Sequence, residues 1–319
     1  MLLLSDQIAV PKPKPYAIEL QFNPLYECLN SLHTYICRPS YKKIDLDPSW
    51  AKSIEEQLPA EFAERLAQTG IDAEWRLIVL LVYCCPEETP EQFVQWIEQM
   101  SIEQLEQLIA QHTSLPTVSI ARLRSRILIL FQQWNQYYFS QIDPQIVQGL
   151  QKESQDRQDM LKQSNDLSIF VDEVTHGIVF EPQAECKRLI LVPHYHFKPL
   201  NIIYAYNSFM ICHYPARFHL GDSSELPPYE YRVLRALAEQ SRFKILKYLY
   251  AGPRSFIEIV RYLGLSKGIT HDHVTKLRSA GLLHAHIQGE TLTVYSLRTQ
   301  AIQDLPYMLM NFIEHNDSQ

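Results

Sequence analysis

The strongest constraint on the fold is the order of helix and strand signals after Pro228. Four runs with apolar residues at helical spacing follow one another between residues 229 and 281, separated by capping or helix-breaking residues. Ser241 can cap the second run, Ser255 and Glu258 form a capping box for the third, and Ser266 can cap the fourth. Two alternating runs, 282–288 and 291–297, then meet at a Gly-Glu turn. We therefore predict four helices followed by a β-hairpin.

The distribution of charge singles out the same segment. The whole chain of 319 residues has a formal net charge of −7, which by itself argues against binding to nucleic acid. Residues 229–298, however, carry eleven Lys/Arg against five Asp/Glu, whereas residues 1–228 have a net charge of −10. A helix-turn-helix followed by a β-hairpin is a winged helix, whose later helix enters the major groove. The basic charge therefore coincides with a predicted DNA-binding fold.

The remaining region, residues 1–220, is predicted to be a mostly helical domain. Short runs rich in Ile, Val, Tyr and Phe, separated by turn residues, occur at about 177–214 and predict a small antiparallel sheet. Residues 221–228 are small, polar and proline-terminated, which is typical of a linker. The predicted fold class is thus α+β and mostly helical, with a helical N-terminal domain and a C-terminal winged helix at 229–319. We assign the N-terminal domain a sensor or oligomerisation role.

Several classes of protein are excluded or disfavoured by the sequence. It contains no GxGxxG or GxxxxGK[ST] phosphate-binding loop, and no GxSxG or HExxH motif, so we expect neither an enzyme nor a bound cofactor. The start, MLLLSDQIAV, lacks the basic region of a secretory signal. The longest apolar run, Leu77 to Cys85, has nine residues, far fewer than the roughly 20 that span a bilayer. We expect a cytoplasmic protein without a membrane partner.

The C-terminal segment resembles the DNA-binding domain of the ArsR (ArsR/SmtB) family of bacterial transcription regulators. The family's two motifs align here without a gap, on Leu237, Ala238, Arg242, Ile245, Leu246 and Leu249 and on Leu265, Ser266, His273, Val274, Leu277 and Ala280–Leu283. Position 271, usually Ser in the family, is His. Phe22–Leu32 and Leu191–Pro193 resemble the uncharacterised N-terminal extension of some large ArsR-type regulators. The resemblance implies a DNA-binding transcription regulator, by default a repressor, with a possible unknown small-molecule effector.

We predict DNA contacts on the fourth helix and on the wing. Lys267 lies beside the helix N-terminus, where a phosphate is favoured, and Lys276 and Arg278 suit phosphates. Thr270 and His271 can both donate and accept hydrogen bonds, so they suit base edges. His273 occupies the family's His position, but its place next to Val274 also favours a half-buried structural role. The predicted set is Lys267, Thr270, His271, His273, Lys276, Arg278, His286 and Gln288.

The family resemblance also implies a homodimer on a palindromic operator. Dimerisation would use the helices at about 229–238 and 305–315, and the candidate residues are Leu234, Leu305, Met308, Leu309 and Phe312. Two acidic residues, Asp272 on the fourth helix and Glu290 at the wing tip, keep an alternative open. In that alternative the winged helix is a protein-interaction module that binds DNA weakly or not at all.

A metal-responsive regulator is a further alternative that the resemblance raises. His194 and His196 would share one face of a strand, with Cys212 or His213 on a neighbouring strand, and such groups can bind zinc. The third helix has no Cys, and Asp304 is followed by Pro306 rather than His, so the family's own metal sites are not supported. We therefore predict no metal and retain His194, His196, Cys212 and His213 as weak candidates only.

Overall fold

The computed structural model describes residues 16–114, 118–221 and 226–314. Positions 222–225 of the predicted linker, and residue 315 at the end of the predicted dimerisation helix, lie outside these ranges. The described chain is mostly helical with two small sheets, which confirms the predicted α+β class.

The N-terminal region begins with one strand and continues through nine α-helices. Strand β1 is Ala17–Leu20. The helices are α1 (Pro24–Ile36), α2 (Trp50–Glu55), α3 (Ala60–Gln68), α4 (Ala73–Cys84), α5 (Pro90–Gln99), α6 (Ile102–His112), α7 (Ile120–Tyr137), α8 (Pro144–Gln163) and α9 (Leu167–Thr175). A 3₁₀ helix, Arg38–Lys43, follows α1, and a second, Phe139–Gln141, follows α7.

Four strands follow α9, and three of them complete a sheet with β1. They are β2 (Ile178–Phe180), β3 (Arg188–His194), β4 (Ile202–Ala205) and β5 (Phe209–Pro215). The order in the sheet is β1-β3-β5-β4. Helices α1 to α7 pack on one face of this sheet, and α8 and α9 lie towards the other.

The prediction of an antiparallel sheet is wrong in two respects. First, β1 and β5 both pair with β3 in parallel, and only β4 and β5 form an antiparallel hairpin. The reason is that β5 inserts between β3 and β4 and pairs with both. Packed elements then cover both faces of the central strands. Strands buried on both faces are near-continuous apolar runs, which is the pattern of 188–194 and 209–215.

Second, β2 does not belong to that sheet. It pairs in parallel with a strand of the predicted wing, with Ile178 opposite Ala285 and Phe180 opposite Ile287. The sheet of the wing therefore has three strands, one of which comes from the N-terminal region.

The C-terminal region has the predicted winged-helix order. Its elements are α10 (Pro228–Leu237), α11 (Gln240–Tyr250), α12 (Phe256–Leu263), α13 (Lys267–Ser279), β6 (Leu283–Gln288), β7 (Thr291–Leu297), α14 (Thr299–Gln303) and α15 (Leu305–Glu314). The Ser255–Glu258 capping box and the Ser266 cap are both present. The cap of α11 is Glu239 rather than Ser241, because its carboxylate accepts hydrogen bonds from the backbone N–H groups of Ser241 and Arg242, both at 2.9 Å.

The two regions share a hydrophobic core. Ala285 and Ile287 of the wing are 1% and 5% exposed and pack with Phe170 of α9, Phe180 of β2 and Leu189 of β3. A separate core of the winged helix lies among α10 to α13 and includes Ile245, Ile259 and Leu277. The wing is thus anchored in the N-terminal region as well as in its own domain.

Candidate DNA-binding surface

Helices α12 and α13 form a helix-turn-helix whose inner side is apolar. Helix α12 ends at Gly264, whose φ of 66° is in the left-handed region that favours glycine. Two residues later, Ser266 accepts a hydrogen bond from the backbone N–H of Ile269 and starts α13. Val274 and Leu277 are 2% and 0% exposed and point into the winged-helix core, as the sequence predicts. The opposite side of α13 is open to solvent.

Three of the predicted DNA contacts on α13 lie on this open side. Lys267 is exposed in the first turn, where the backbone N–H groups and the helix dipole favour an anion. His271 and Lys276 are also exposed. The Nζ atom of Lys276 lies 2.8 Å from Oδ2 of Asp272, an exposed i,i+4 ion pair that phosphate could compete with at little cost.

Thr270 does not lie on this side, and its prediction as a base contact is wrong for this conformation. Its side chain is 0% exposed, and its hydroxyl is buried without a hydrogen-bond partner among the described residues. Thr270, Val274 and Leu277 have i, i+4 and i+7 spacing, which places all three on the inner face of α13.

His273 is half-buried, and its position favours the structural role that the sequence left open. Its Nδ1 atom is 3.7 Å from Oε2 of Glu239, the carboxylate that caps α11, and is buried without a hydrogen bond to any residue in the described ranges. At that distance the imidazole and the carboxylate do not form a hydrogen bond. His273 packs where α13 meets the start of α11, away from the exposed face of α13.

Arg278 faces the N-terminal region, so the structure contradicts its prediction as a phosphate contact. Its guanidinium donates hydrogen bonds to the carbonyl oxygen of His176 at 2.7 Å and to Oδ1 of Asn201 at 3.0 Å. Burial lowers the pKa of Arg278 to about 10, so it remains charged at neutral pH. The residue joins α13 to the loop after α9 and to the start of β4.

In the wing, Gln288 is exposed, but His286 is not available to DNA. The Nδ1 atom of His286 lies 2.9 Å from Oε1 of Glu181, and its Nε2 atom lies 2.9 Å from Oγ of Ser296. Glu181 directly follows β2, so this contact depends on the strand that the N-terminal region adds to the wing. The predicted DNA contact at His286 is therefore wrong in this arrangement.

The acidic wing tip also contacts the N-terminal region. Glu290 forms an ion pair with Arg76 of α4 and accepts a hydrogen bond from the backbone N–H of Ala205 at 2.6 Å. At the base of the wing, Asp172 lies 2.9 Å from Nε2 of His284 and 2.8 Å from Nε of Arg298. Burial alone would raise the pKa of Asp172, but these two partners hold it below its usual value.

The weak metal candidates do not converge on one point. Strand β3 ends at His194, so His196 does not continue the alternation of the strand; its Nδ1 atom lies 2.6 Å from Oε1 of the buried Glu27. Cys212 and His213 are adjacent on β5 and therefore point to opposite faces. Among the described residues, no three His, Cys, Asp or Glu side chains are placed to hold a metal ion.

Four of the predicted dimerisation residues lie on α15, and Leu234 lies on α10. Leu305 and Met308 are half-buried and pack against the winged-helix core, whereas Leu234, Leu309 and Phe312 are half-buried outside its buried centre. Sequence reasoning missed the apolar residues of α15 that are most exposed, Tyr307 at 77% and Ile313 at 65%. Met310, 48% exposed, lies between them at i+3, so these three side chains line the side of α15 that faces away from the core.

No helix in the described part of the chain is long and apolar enough to cross a membrane.

Comparisons with known proteins identify the same segment. Residues 232–285 match the family model described as "Bacterial regulatory protein, arsR family". The transcriptional repressor SdpR of Bacillus subtilis (strain 168) is 30% identical over 86 residues, which make up 27% of this chain and 94% of that protein. No solved structure matches this chain significantly. The chain therefore belongs to the arsR family of bacterial regulatory proteins and is a DNA-binding transcription regulator.

Proposed function

We propose that this protein represses transcription by binding a palindromic operator as a homodimer, with α13 of each copy in the major groove. The observation that carries the proposal is the two-sided character of α13. Val274 and Leu277 fix its inner side in the core, while Lys267, His271 and Lys276 are exposed on the other. Lys267 and Lys276 suit phosphates, and His271 suits a base edge. The similarity to a transcriptional repressor supports repression as the outcome.

The proposed dimer uses the exposed apolar side of α15. A helix with residues such as Tyr307 and Ile313 open to solvent gains stability by burying them against a second copy. Two-fold symmetry of the protein then requires two half-sites about one helical turn, roughly 10 base pairs, apart.

A footprint on the DNA upstream of the protein's own gene tests the proposal. We expect two protected half-sites with that spacing, and a dimer mass in sedimentation at the same concentration. Tyr307→Asp/Ile313→Asp should give a monomer that protects neither half-site, while Tyr250→Asp, equally exposed on α11, should behave as wild type. Absence of protection at low salt, with specific and competitor DNA indistinguishable, would contradict the proposal.

The docked wing favours a second candidate, a protein-interaction module. The tip residue Glu290 is engaged by Arg76 and repels phosphate, so the wing adds little to DNA affinity. In that case the exposed side of α13 would bind a protein, and the footprint would be absent even though the chain is folded.

A further inference from the structure

A cleft beside α13 is lined with basic side chains from both regions of the protein. It has a volume of about 510 Å³ and lies between the segment 42–45, which includes the end of the first 3₁₀ helix, and helices α10 and α13. Fifteen residues line it, of which six are Lys or Arg and two are Asp. Four of the six cations come from the basic segment 229–298, whereas Lys42 and Lys43 come from residues 1–228, which as a whole carry −10. We call the residues Lys42, Lys43, Arg232, Arg235 and Lys276 the basic cleft.

The cleft is continuous with the exposed side of α13. His271, Thr275 and Lys276 of α13 form one wall. Lys42 and Lys43 line the cleft from the N-terminal region, and both side chains are exposed. Any ligand that covers the exposed face of α13 therefore lies next to these two lysines.

The other basic residues of the cleft already have partners. Arg232 forms an ion pair with Asp45 and donates a hydrogen bond to the carbonyl oxygen of Ser279 at 3.4 Å. The guanidinium carbon of Arg235 lies 5.6 Å from the centre of the Tyr231 ring, a cation–π contact. Lys42 and Lys43 differ, because neither has a side-chain hydrogen bond or ion pair with any residue that the structure describes.

The segment that carries the two lysines is held against the winged helix. The Asp45–Arg232 ion pair joins it to α10, and the backbone N–H of Asp45 donates to the carbonyl oxygen of Lys198 at 2.8 Å. The hydroxyl of Tyr41 also donates to the carbonyl oxygen of Tyr35 at the end of α1. Because the segment is fixed on both sides, the two ammonium groups are presented to the cleft without a large further loss of backbone freedom.

We propose that Lys42 and Lys43 bind the phosphate backbone of the DNA duplex that α13 contacts, so that the N-terminal region forms part of the DNA interface. The inference rests on the proposed function. Duplex DNA fits the cleft because its phosphates form a dense line of negative charge beside the groove that a reading helix enters. Lysine suits this role since it neutralises phosphate without reading sequence. The contact also offsets the repulsion between DNA and the acidic N-terminal region.

The test compares three full-length proteins in the same binding assay. They are the wild type, Lys42→Ala/Lys43→Ala, and the control Lys152→Ala/Lys187→Ala, which removes the same charge from two exposed lysines outside the cleft. Fluorescence anisotropy is measured with a labelled duplex from upstream of the protein's own gene and with a random-sequence duplex of equal length. Each titration is repeated between 50 and 200 mM salt, roughly the range over which phosphate contacts dominate the salt dependence.

Each lysine that binds one phosphate contributes about 0.9 to the slope of log K against log salt. Because the proposed dimer carries four such lysines, we expect the cleft variant to reduce that slope by about 3.6 on both duplexes, and the control to leave it unchanged. A wild-type slope in the cleft variant, or tighter binding than wild type, would overturn this inference while leaving the proposed function intact. If the wild type binds neither duplex even at 50 mM salt, both proposals fail.

Discussion

At the scale of single residues, α13 divides its polar side chains between two tasks. Lys267, His271 and Lys276 face solvent, whereas Arg278 is half-buried and donates hydrogen bonds to the N-terminal region. A half-buried guanidinium with good hydrogen bonds is costly to remove, because its acceptors then remain unpaired. Arg278 is therefore a structural residue, whereas Lys267 and Lys276 are the exposed cations of α13.

Arg278→Ala should lower the free energy of unfolding by about 2 to 4 kcal/mol, since it leaves the His176 carbonyl and Asn201 without their partner. Arg261→Ala, at an exposed position of α12, is the control and should change it by less than about 0.5 kcal/mol. Urea denaturation measures both variants. Equal urea midpoints for the two variants would contradict a structural role for Arg278. A reduced slope of log K against log salt for DNA binding by Arg278→Ala would mean that Arg278 contacts phosphate.

Sequence reasoning placed some residues correctly and others not, for identifiable reasons. The inward face at Val274 and Leu277 follows from helical spacing, and the same spacing should have placed Thr270 there too. The partners of Arg278 and His286 could not be predicted, because His176 and Glu181 are 102 and 105 positions away along the chain. Contacts at that separation depend on how the two regions pack.

At the scale of elements, the helix-capping residues and the alternation of apolar and polar residues predicted the order of elements in the winged helix. The same patterns did not indicate which strands pair with each other. Residues 178–180 were correctly expected to form a strand, yet the strand pairs with β6 of the wing. A run of three residues carries no information about its partner, because any edge with free backbone groups satisfies it. The direction of β3 and β5 was missed for the same reason, although their continuous apolar runs are typical of parallel strands.

The shared sheet predicts that the wing and the N-terminal region unfold together. All four tryptophans lie between residues 50 and 134, so their fluorescence reports on the N-terminal region alone. Ile287→Ala in the wing removes a side chain buried against α9 and β3, and should lower the stability seen by tryptophan fluorescence by about 2 to 4 kcal/mol.

Ile257→Ala, at a 40% exposed position of α12, serves as the control for that substitution. We expect the control to leave the fluorescence transition in place. Ile287→Ala could instead shift only the unfolding transition seen by circular dichroism and leave the one seen by tryptophan fluorescence in place. In that case the wing unfolds independently, and the shared core does not couple the two regions.

At the scale of the whole molecule, four of the five histidines that are buried among the described residues make stability depend on pH. Burial lowers the pKa of His33 to about 4 and of His213 to about 3, and it also lowers the pKa of His176 and His194 well below the usual 6.5. The unfolded chain therefore takes up these protons near pH 6.5, whereas the folded chain does not. Stability from this source is fully present above pH 6.5 and decreases as the pH falls towards about 4.

We expect the free energy of unfolding to fall between pH 7.5 and pH 5.5 by about 1.4 kcal/mol for each of these four histidines. Urea midpoints followed by tryptophan fluorescence at the two pH values measure the change. His213→Leu should make this decrease smaller by about 1.4 kcal/mol, because it removes one of the four histidines. Identical wild-type midpoints at both pH values would show that the buried imidazoles are accessible to protons in the folded protein.

The central claim concerns how α13 contacts DNA, and one comparison tests it most directly. Anisotropy is measured for the wild type and for His271→Ala, on the upstream duplex and on a random duplex of equal length. The lost base contact should weaken binding to the upstream duplex by about tenfold, and binding to the random duplex by less than about twofold. If the variant binds both duplexes as the wild type does, or if the wild type does not distinguish them, α13 does not read DNA.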